Sequence, residues 1–274
     1  MKNDFPIGIF DSGYGGLTVL SEIRKSLPNY DFIYFGDNAR APYGDRSFEL
    51  VYDFTLEAVN YLFSQGCPLV ILACNTASAK ALRTIQQKDL EKIDPTKRVL
   101  GVIRPSAEEI GFLTESKHIG ILGTNGTIQS DSYRIELQKY APEIIVSQHA
   151  CPMWVPLIEN DVHQTSAGKL FIEEDVLKLM LMDPKIDTII LACTHYPILQ
   201  EQIQKIVGEK VKVISQGPIV AEKLSLYLER NKDMEARISR GGSCSYRTTE
   251  NAIIFNKKAS QFLGEEISAQ QIEL

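Results

Sequence analysis

Short apolar runs alternate along this chain with longer stretches whose apolar positions recur at helical spacing. The runs fall at 5–10, 31–36, 68–73, 98–102, 118–122, 143–147, 187–192 and 211–214. Each is too short for a stable helix and rich in Ile, Val, Leu and Phe, so each predicts a strand. Runs such as Leu69-Val70-Ile71-Leu72 and Ile189-Ile190-Leu191 carry no polar alternation. They are therefore expected to be covered on both faces, as the strands of parallel sheets are. The intervening stretches 17–26, 47–63, 77–87, 128–139, 167–181 and 221–229 predict helices. Strand, loop and helix in alternation mean an α/β fold with mostly parallel sheets flanked by helices.

The pattern also repeats. Ile7-Gly8-Ile9-Phe10-Asp11-Ser12-Gly13 is echoed 112 residues on by Ile119-Gly120-Ile121-Leu122-Gly123-Thr124-Asn125. Val70-Ile71-Leu72-Ala73-Cys74-Asn75-Thr76 is echoed by Ile189-Ile190-Leu191-Ala192-Cys193-Thr194-His195, with the cysteines 119 apart. Two marker pairs in the same order at similar offsets imply two related units. The expected architecture is two pseudo-symmetric α/β domains, residues 1–100 plus 213–274 and residues 101–212, with the active site in the cleft between them. The first crossing is expected at Gly101-Val102-Ile103-Arg104-Pro105 and the return at Val213-Ile214-Ser215-Gln216-Gly217-Pro218, with Gly241-Gly242-Ser243 a late turn. A chain of 274 residues readily supports two such cores.

Composition narrows the partners. A net charge of -6 with no long single-sign run lacks the clustered Lys and Arg of a nucleic-acid surface. No apolar run is long enough to span a bilayer, so no membrane partner is expected. The opening Met1-Lys2-Asn3-Asp4-Phe5 lacks a secretory h-region, which points to the cytoplasm. The five cysteines, odd in number and without disulfide-like spacing, are expected as reduced thiols.

The chemistry concentrates at strand ends, outside which ligands bind in open parallel sheets. Asp11-Ser12-Gly13-Tyr14-Gly15-Gly16 follows one strand and opens a helix, where freed backbone N–H groups favour an anion. The bland reading is a tight turn with Asp11 or Ser12 as a cap. Cys74 and Cys193 each end a strand, and two thiols aimed into one cleft suit proton transfer on opposite faces of one carbon. Either cysteine alone reads equally well as a buried core residue. Cys67, Cys151 and Cys244 keep that structural reading, as do His118, His149 and His163. Two other functions compete with this proton-transfer reading. A thiol-metal hydrolase would use Cys74, Cys193 and His195, although Cys-x-His supplies one close ligand pair where zinc sites draw on several. A two-domain binding protein would close on a small molecule without needing thiols.

Five ordered blocks add a resemblance. Asp11-Ser12-Gly13, Gly36-Asp37-Asn38-Ala39-Arg40-Ala41-Pro42-Tyr43-Gly44, Ala73-Cys74-Asn75-Thr76-Ala77-Ser78, Pro156-Leu157-Ile158-Glu159 and Cys193-Thr194-His195-Tyr196-Pro197 together resemble the glutamate racemases, within the wider cofactor-independent amino-acid racemases. The resemblance implies racemisation of glutamate without a cofactor or metal, with D-glutamate supplied for peptidoglycan, by a homodimer. It implies that Cys74 takes the proton from the D-isomer and Cys193 from the L-isomer. It assigns Asp11 to assist Cys74, and His195 with Glu159 to assist Cys193. It places Asp11, Ser12, Pro42, Tyr43, Gly44, Cys74, Asn75, Thr76, Cys193, Thr194 and His195 against the substrate. Ser215-Gln216-Gly217, Ala192 and Arg104-Pro105-Ser106 depart from the expected pattern, which bears on the rear wall of the cleft and on regulation.

Overall fold

The structure, a computed structural model, describes residues 5–274. Met1–Asp4, which carry most of the expectation about a missing leader, lie outside the described residues.

Two sheets form. The first is six-stranded in the order β10-β9-β2-β1-β3-β4, and the second four-stranded in the order β6-β5-β7-β8. The first contains β1 (Ile7–Asp11), β2 (Phe32–Gly36), β3 (Leu69–Leu72), β4 (Arg98–Gly101), β9 (Cys244–Thr248) and β10 (Ala269–Gln271). The second contains β5 (His118–Gly123), β6 (Ile145–Ala150), β7 (Thr188–Ala192) and β8 (Lys212–Ser215). Every strand pairing among the described residues is parallel. The order β2-β1-β3-β4 in one sheet matches β6-β5-β7-β8 in the other, which is the duplication that the sequence repeat implies. Both cysteines accordingly follow equivalent strands, β3 and β7.

Continuous apolar runs fold this way because successive side chains leave a strand on opposite faces. Ile9, Tyr34 and Ile71 pack beneath the helices Gly16–Ser26 and Gln216–Arg230. Phe10, Phe35, Val70 and Leu72 pack on the other face with Val51, Ala58, Val59 and Leu62 of the helix Phe48–Ser64. In the second sheet Leu122, Ile189 and Leu191 face Ile172, Val176 and Leu179 of the helix Ser166–Met182. Ile119, Ile121 and Ile190 face Ile103 and Ile110 on the other side. Each such buried side chain contributes about 1.5–3 kcal/mol relative to exposure.

The structure departs from the sequence reading in several places. Arg104-Pro105-Ser106, at the expected crossing and outside every expected helix, lies in the helix Ile103–Leu113. Proline is tolerated there because Pro105 sits in the first turn, where a backbone N–H has no helical partner to lose. The expected helix 128–139 is two helices, Asn125–Gln129 and Ser132–Tyr140, broken where Asp131 takes a left-handed conformation with φ 55°. The stretch 77–87 begins earlier, as Asn75–Lys80, and continues through a π turn at Ile85–Asp89. Strand β8 stays paired to β7 through Ser215, inside the segment 213–218 where the return is expected.

Candidate active site

A cavity of about 50 Å³ opens where the carboxyl ends of the two sheets meet. Of the residues expected at the site, Ser12, Pro42, Tyr43, Gly44, Cys74, Asn75, Thr76, Glu159, Cys193, Thr194 and His195 line it. Asp11 lies just behind this wall, fully buried.

The first thiol is built into the start of a helix. Cys74 is the N-cap of Asn75–Lys80, and its Sγ accepts the Ala77 N–H at 3.4 Å. Ser12 Oγ lies 3.4 Å from the same sulfur. Burial and then the neighbouring negative charge of Asp11 push the Cys74 thiol up to about 11, against the opposing hydrogen bonds from Ser12 and Ala77. The side chain that reaches Cys74 is thus Ser12, which sequence reasoning read as a cap or a substrate contact and not as a partner of the thiol.

Cys193 follows β7. Burial pushes its thiol up, opposed by a hydrogen bond from the backbone N–H of His195, while ionisation of Cys74 pushes it up further. Like charges at short range disfavour each other. Burial thus holds both groups as thiols, and a charge on either one opposes ionisation of the other.

The supporting groups come from both halves. Asp11 Oδ2 accepts the Gly13 N–H at 3.0 Å, and Asp11 Oδ1 accepts from Thr194 Oγ1 at 3.3 Å. Burial nevertheless raises the Asp11 carboxyl, outweighing the favourable charge of His195 and these hydrogen bonds. His195 Nε2 pairs with Glu159 Oε1 at 2.9 Å. Burial opposes ionisation of Glu159, but the hydrogen bond and charge of His195, with help from Lys258, hold its carboxyl below the ordinary range. Close approach between the halves explains one glycine: a Cβ on Gly15 would lie 2.4 Å from both His195 Nδ1 and Thr194 Oγ1.

Other expected residues are held by the protein itself. The Tyr43 hydroxyl donates to Asp37 Oδ2, and Asp37 also accepts from Arg40 Nε at 2.7 Å and Thr249 Oγ1 at 2.8 Å. The ring of Tyr43 forms part of the cavity wall. Gly44 O accepts the Gly126 N–H at 2.8 Å, a bridge from the first half to the second. Thr76 Oγ1 lies 2.9 Å from Thr124 Oγ1.

Sequence reasoning did not assign Gly13, Ala41, Asp45, Thr124, Pro152, Val155 and Pro156 to the site, and these also line the cavity. For Thr124 the signal was present, since the repeat that aligns Ile7 with Ile119 also aligns Ser12 with Thr124. The described lining contains no Lys or Arg. An anionic ligand there would rest on hydroxyl, amide and backbone N–H donors and on His195.

His149, Cys151 and Asp175 form a group whose potential metal-ligating atoms lie within 4.8 Å of one another. It includes neither strand-end thiol. Its polar atoms already serve a structural purpose: His149 Nε2 meets Asp175 Oδ1 at 3.0 Å, and Trp154 Nε1 donates to Asp175 Oδ2 at 2.9 Å. These contacts anchor the first residue of Trp154–Glu159, the short helix that carries Glu159.

Comparison with known proteins decides the family. Residues 16–224 match the Asp/Glu/Hydantoin racemase family. The chain belongs to that family. It is 40% identical over 272 residues to the glutamate racemase of Streptococcus gordonii, covering 98% of each chain. It is 39% identical over 275 residues to that of Enterococcus faecalis, covering 100% of this chain and 98% of the relative. Among solved structures, a glutamate racemase isoform from Bacillus anthracis superimposes with a TM-score of 0.89 at 37% identity, over 98% of both chains. The Francisella tularensis glutamate racemase, solved with D-glutamate, gives 0.87 at 31% identity over 99% of this chain and 98% of that one. These relatives share the two-domain α/β racemase fold. No helix among the described residues is long and apolar enough to cross a membrane.

Proposed function

We propose that this racemase interconverts L- and D-glutamate without a cofactor, using Cys74 and Cys193 as its two bases. The observation that carries the reading is that both thiols, at the ends of equivalent strands, line one cavity. Full-length similarity to glutamate racemases supports the choice of substrate.

Removing the weakly acidic Cα proton needs a base on one face and an acid on the other. With D-glutamate, a Cys74 thiolate takes the proton, the electron pair is left on Cα, and the Cys193 thiol returns a proton to the opposite face. L-glutamate reverses the roles. Burial keeps both thiols protonated at neutral pH, with Cys74 pushed up to about 11. The α-ammonium of the bound amino acid supplies the positive charge that favours a thiolate. Once one thiol ionises, its charge keeps the other protonated, giving the base and acid that the reaction requires. Asp11 and the His195–Glu159 pair act as auxiliary groups for Cys74 and Cys193. Ser12, Pro42, Tyr43, Gly44, Asn75, Thr76 and Thr194 hold the substrate.

We further propose that the two sheets are the cores of two domains, the second running from 101 to Ser215, and that substrate binds between them. A cytoplasmic location, a homodimer and supply of D-glutamate to peptidoglycan complete the reading. They rest on the family resemblance, and light scattering tests the dimer.

The deciding experiment incubates the purified protein with each glutamate enantiomer in deuterated buffer, without pyridoxal phosphate. Optical rotation should decay to zero from either side, with deuterium entering at Cα. Racemisation that requires pyridoxal phosphate or a divalent metal would sink the proposal. So would tight binding of glutamate without Cα exchange, the behaviour of a binding protein.

A further inference from the structure

Behind the Cys74 wall, three buried side chains close a ring of hydrogen bonds. Tyr133 Oη donates to Asn75 Oδ1 at 2.7 Å, and Asn75 Nδ2 donates to Gln216 Oε1 at 2.7 Å. Gln216 Nε2 closes the ring by donating to Tyr133 Oη. Asn75 begins the helix after Cys74, Tyr133 lies on a helix of the second half, and Gln216 opens the helix that returns the chain to the first sheet. Exposure is 2% at Asn75, 0% at Tyr133 and 4% at Gln216.

Amide groups can be turned end for end, so a ring alone does not fix direction. Here one group that cannot be turned does so. Gln216 Nε2 also points at the backbone carbonyl of Val102, at 3.3 Å, and at Ser106 Oγ, at 2.8 Å. Ser106 Oγ already donates to that same carbonyl at 2.8 Å, so it accepts from Gln216. A carbonyl only accepts, which fixes the NH₂ end of Gln216 toward Val102 and its oxygen toward Asn75. Asn75 must then present nitrogen to Gln216 and oxygen to Tyr133. Its carbonyl is spent on Tyr133 and one N–H on Gln216, which leaves one N–H on a residue that lines the cavity.

We propose that Gln216 and Tyr133 are positioning residues: through this relay they hold the Asn75 amide as a hydrogen-bond donor to a substrate carboxylate. The relay orients Asn75 so that it offers the cavity an N–H and never its carbonyl, which would instead attract the substrate ammonium. The inference rests on the glutamate reading above and deepens it.

Two readouts test it. In the free protein, one Asn75 side-chain amide hydrogen should exchange slowly in 15N spectra, and Tyr133→Phe or Gln216→Leu should abolish that protection, whatever the substrate. In kinetics, each variant should raise KM for both glutamate enantiomers about tenfold with kcat within about twofold, the size expected when a hydrogen bond to a charged group is lost. The double variant should be no worse than the poorer single one, because both changes remove the same restraint. An unprotected Asn75 amide in the wild type would overturn the relay. Variants with a lower melting temperature but unchanged KM, or KM effects that multiply in the double variant, would also overturn it. Wild-type racemisation, measured first, tests the glutamate reading separately, because the amide readout needs no substrate.

Discussion

His195 and Glu159 meet at 2.9 Å although 36 residues separate them, and Glu159 reaches that position on a short helix anchored by Trp154. The charge of His195 also favours the buried carboxylate of Asp11, which arrives from β1 of the opposite sheet. The histidine thus interacts with one acid from each half, two residues after Cys193.

The thiols themselves give the sharpest expectation. Cys74→Ala and Cys193→Ala should each abolish racemisation, a loss of at least about 10³-fold in kcat for a missing general base or acid. Cys67→Ala, Cys151→Ala and Cys244→Ala should keep most of it. Circular dichroism of the inactive variants should be unchanged, since a small side chain is removed with little volume lost. Near wild-type turnover in either strand-end variant would exclude the two-thiol mechanism.

The auxiliary acids should act asymmetrically. Asp11→Asn is expected to slow proton abstraction from the D-isomer more, and His195→Asn from the L-isomer more, because each is assigned to a different thiol. The enantiomers have equal free energy, so the ratio of kcat/KM values cannot change, and the asymmetry must appear in separate constants or isotope effects. Primary deuterium effects with each α-deuterated enantiomer decide it. Identical changes in both variants and both directions would refute the assignment.

Buried thiols make the fold sensitive to alkali. Burial pushes Cys67 up to about 12 and, with the charge of Asp11, Cys74 up to about 11. An unfolded thiol titrates near ~8.5. The folded state therefore binds the proton more tightly, and this contribution is fully present below ~8.5 and lost as pH rises from there through the folded values. Melting temperature should fall between about pH 8.5 and 11, and Cys67→Ala should flatten that fall. An identical pH profile in the variant would show that this thiol does not contribute.

Acid acts elsewhere. Asp187 accepts from Thr114 Oγ1 at 2.6 Å, from the N–H groups of Glu115 at 2.8 Å and Ser116 at 2.6 Å, and from Thr188 Oγ1 at 2.9 Å. Burial opposes its charge, but these donors win and lower its carboxyl to about 2. The stability it adds is present above its ordinary value of 3.8 and is lost as pH falls toward 2. Asp187→Asn should cost about 1–2 kcal/mol near neutrality, discounted for partial exposure, and almost nothing near pH 2. Urea unfolding at the two pH values measures the difference.

By itself the sequence determined what short-range chemistry controls. Unbroken apolar runs had to be strands buried on both faces, and the repeat required equivalent strands to end in Cys74 and Cys193. Local signals failed where neighbours decide. Cys244–Thr248 is half polar and Ala269–Gln271 has three residues, so neither announces a strand; β2 supplies the edge on which β9 forms, and β9 the edge for β10. Pro105, placed by the sequence only in a crossing segment, lands in the first turn of a helix, which tolerates it. The partnerships of the site lie beyond any local pattern. Ser12 with Cys74 spans 62 residues, Glu159 with His195 spans 36, and Gln216 with Asn75 spans 141. Hydrogen bonds depend on distance and direction in space, and only the packing of two sheets across one cleft brings those atoms within reach.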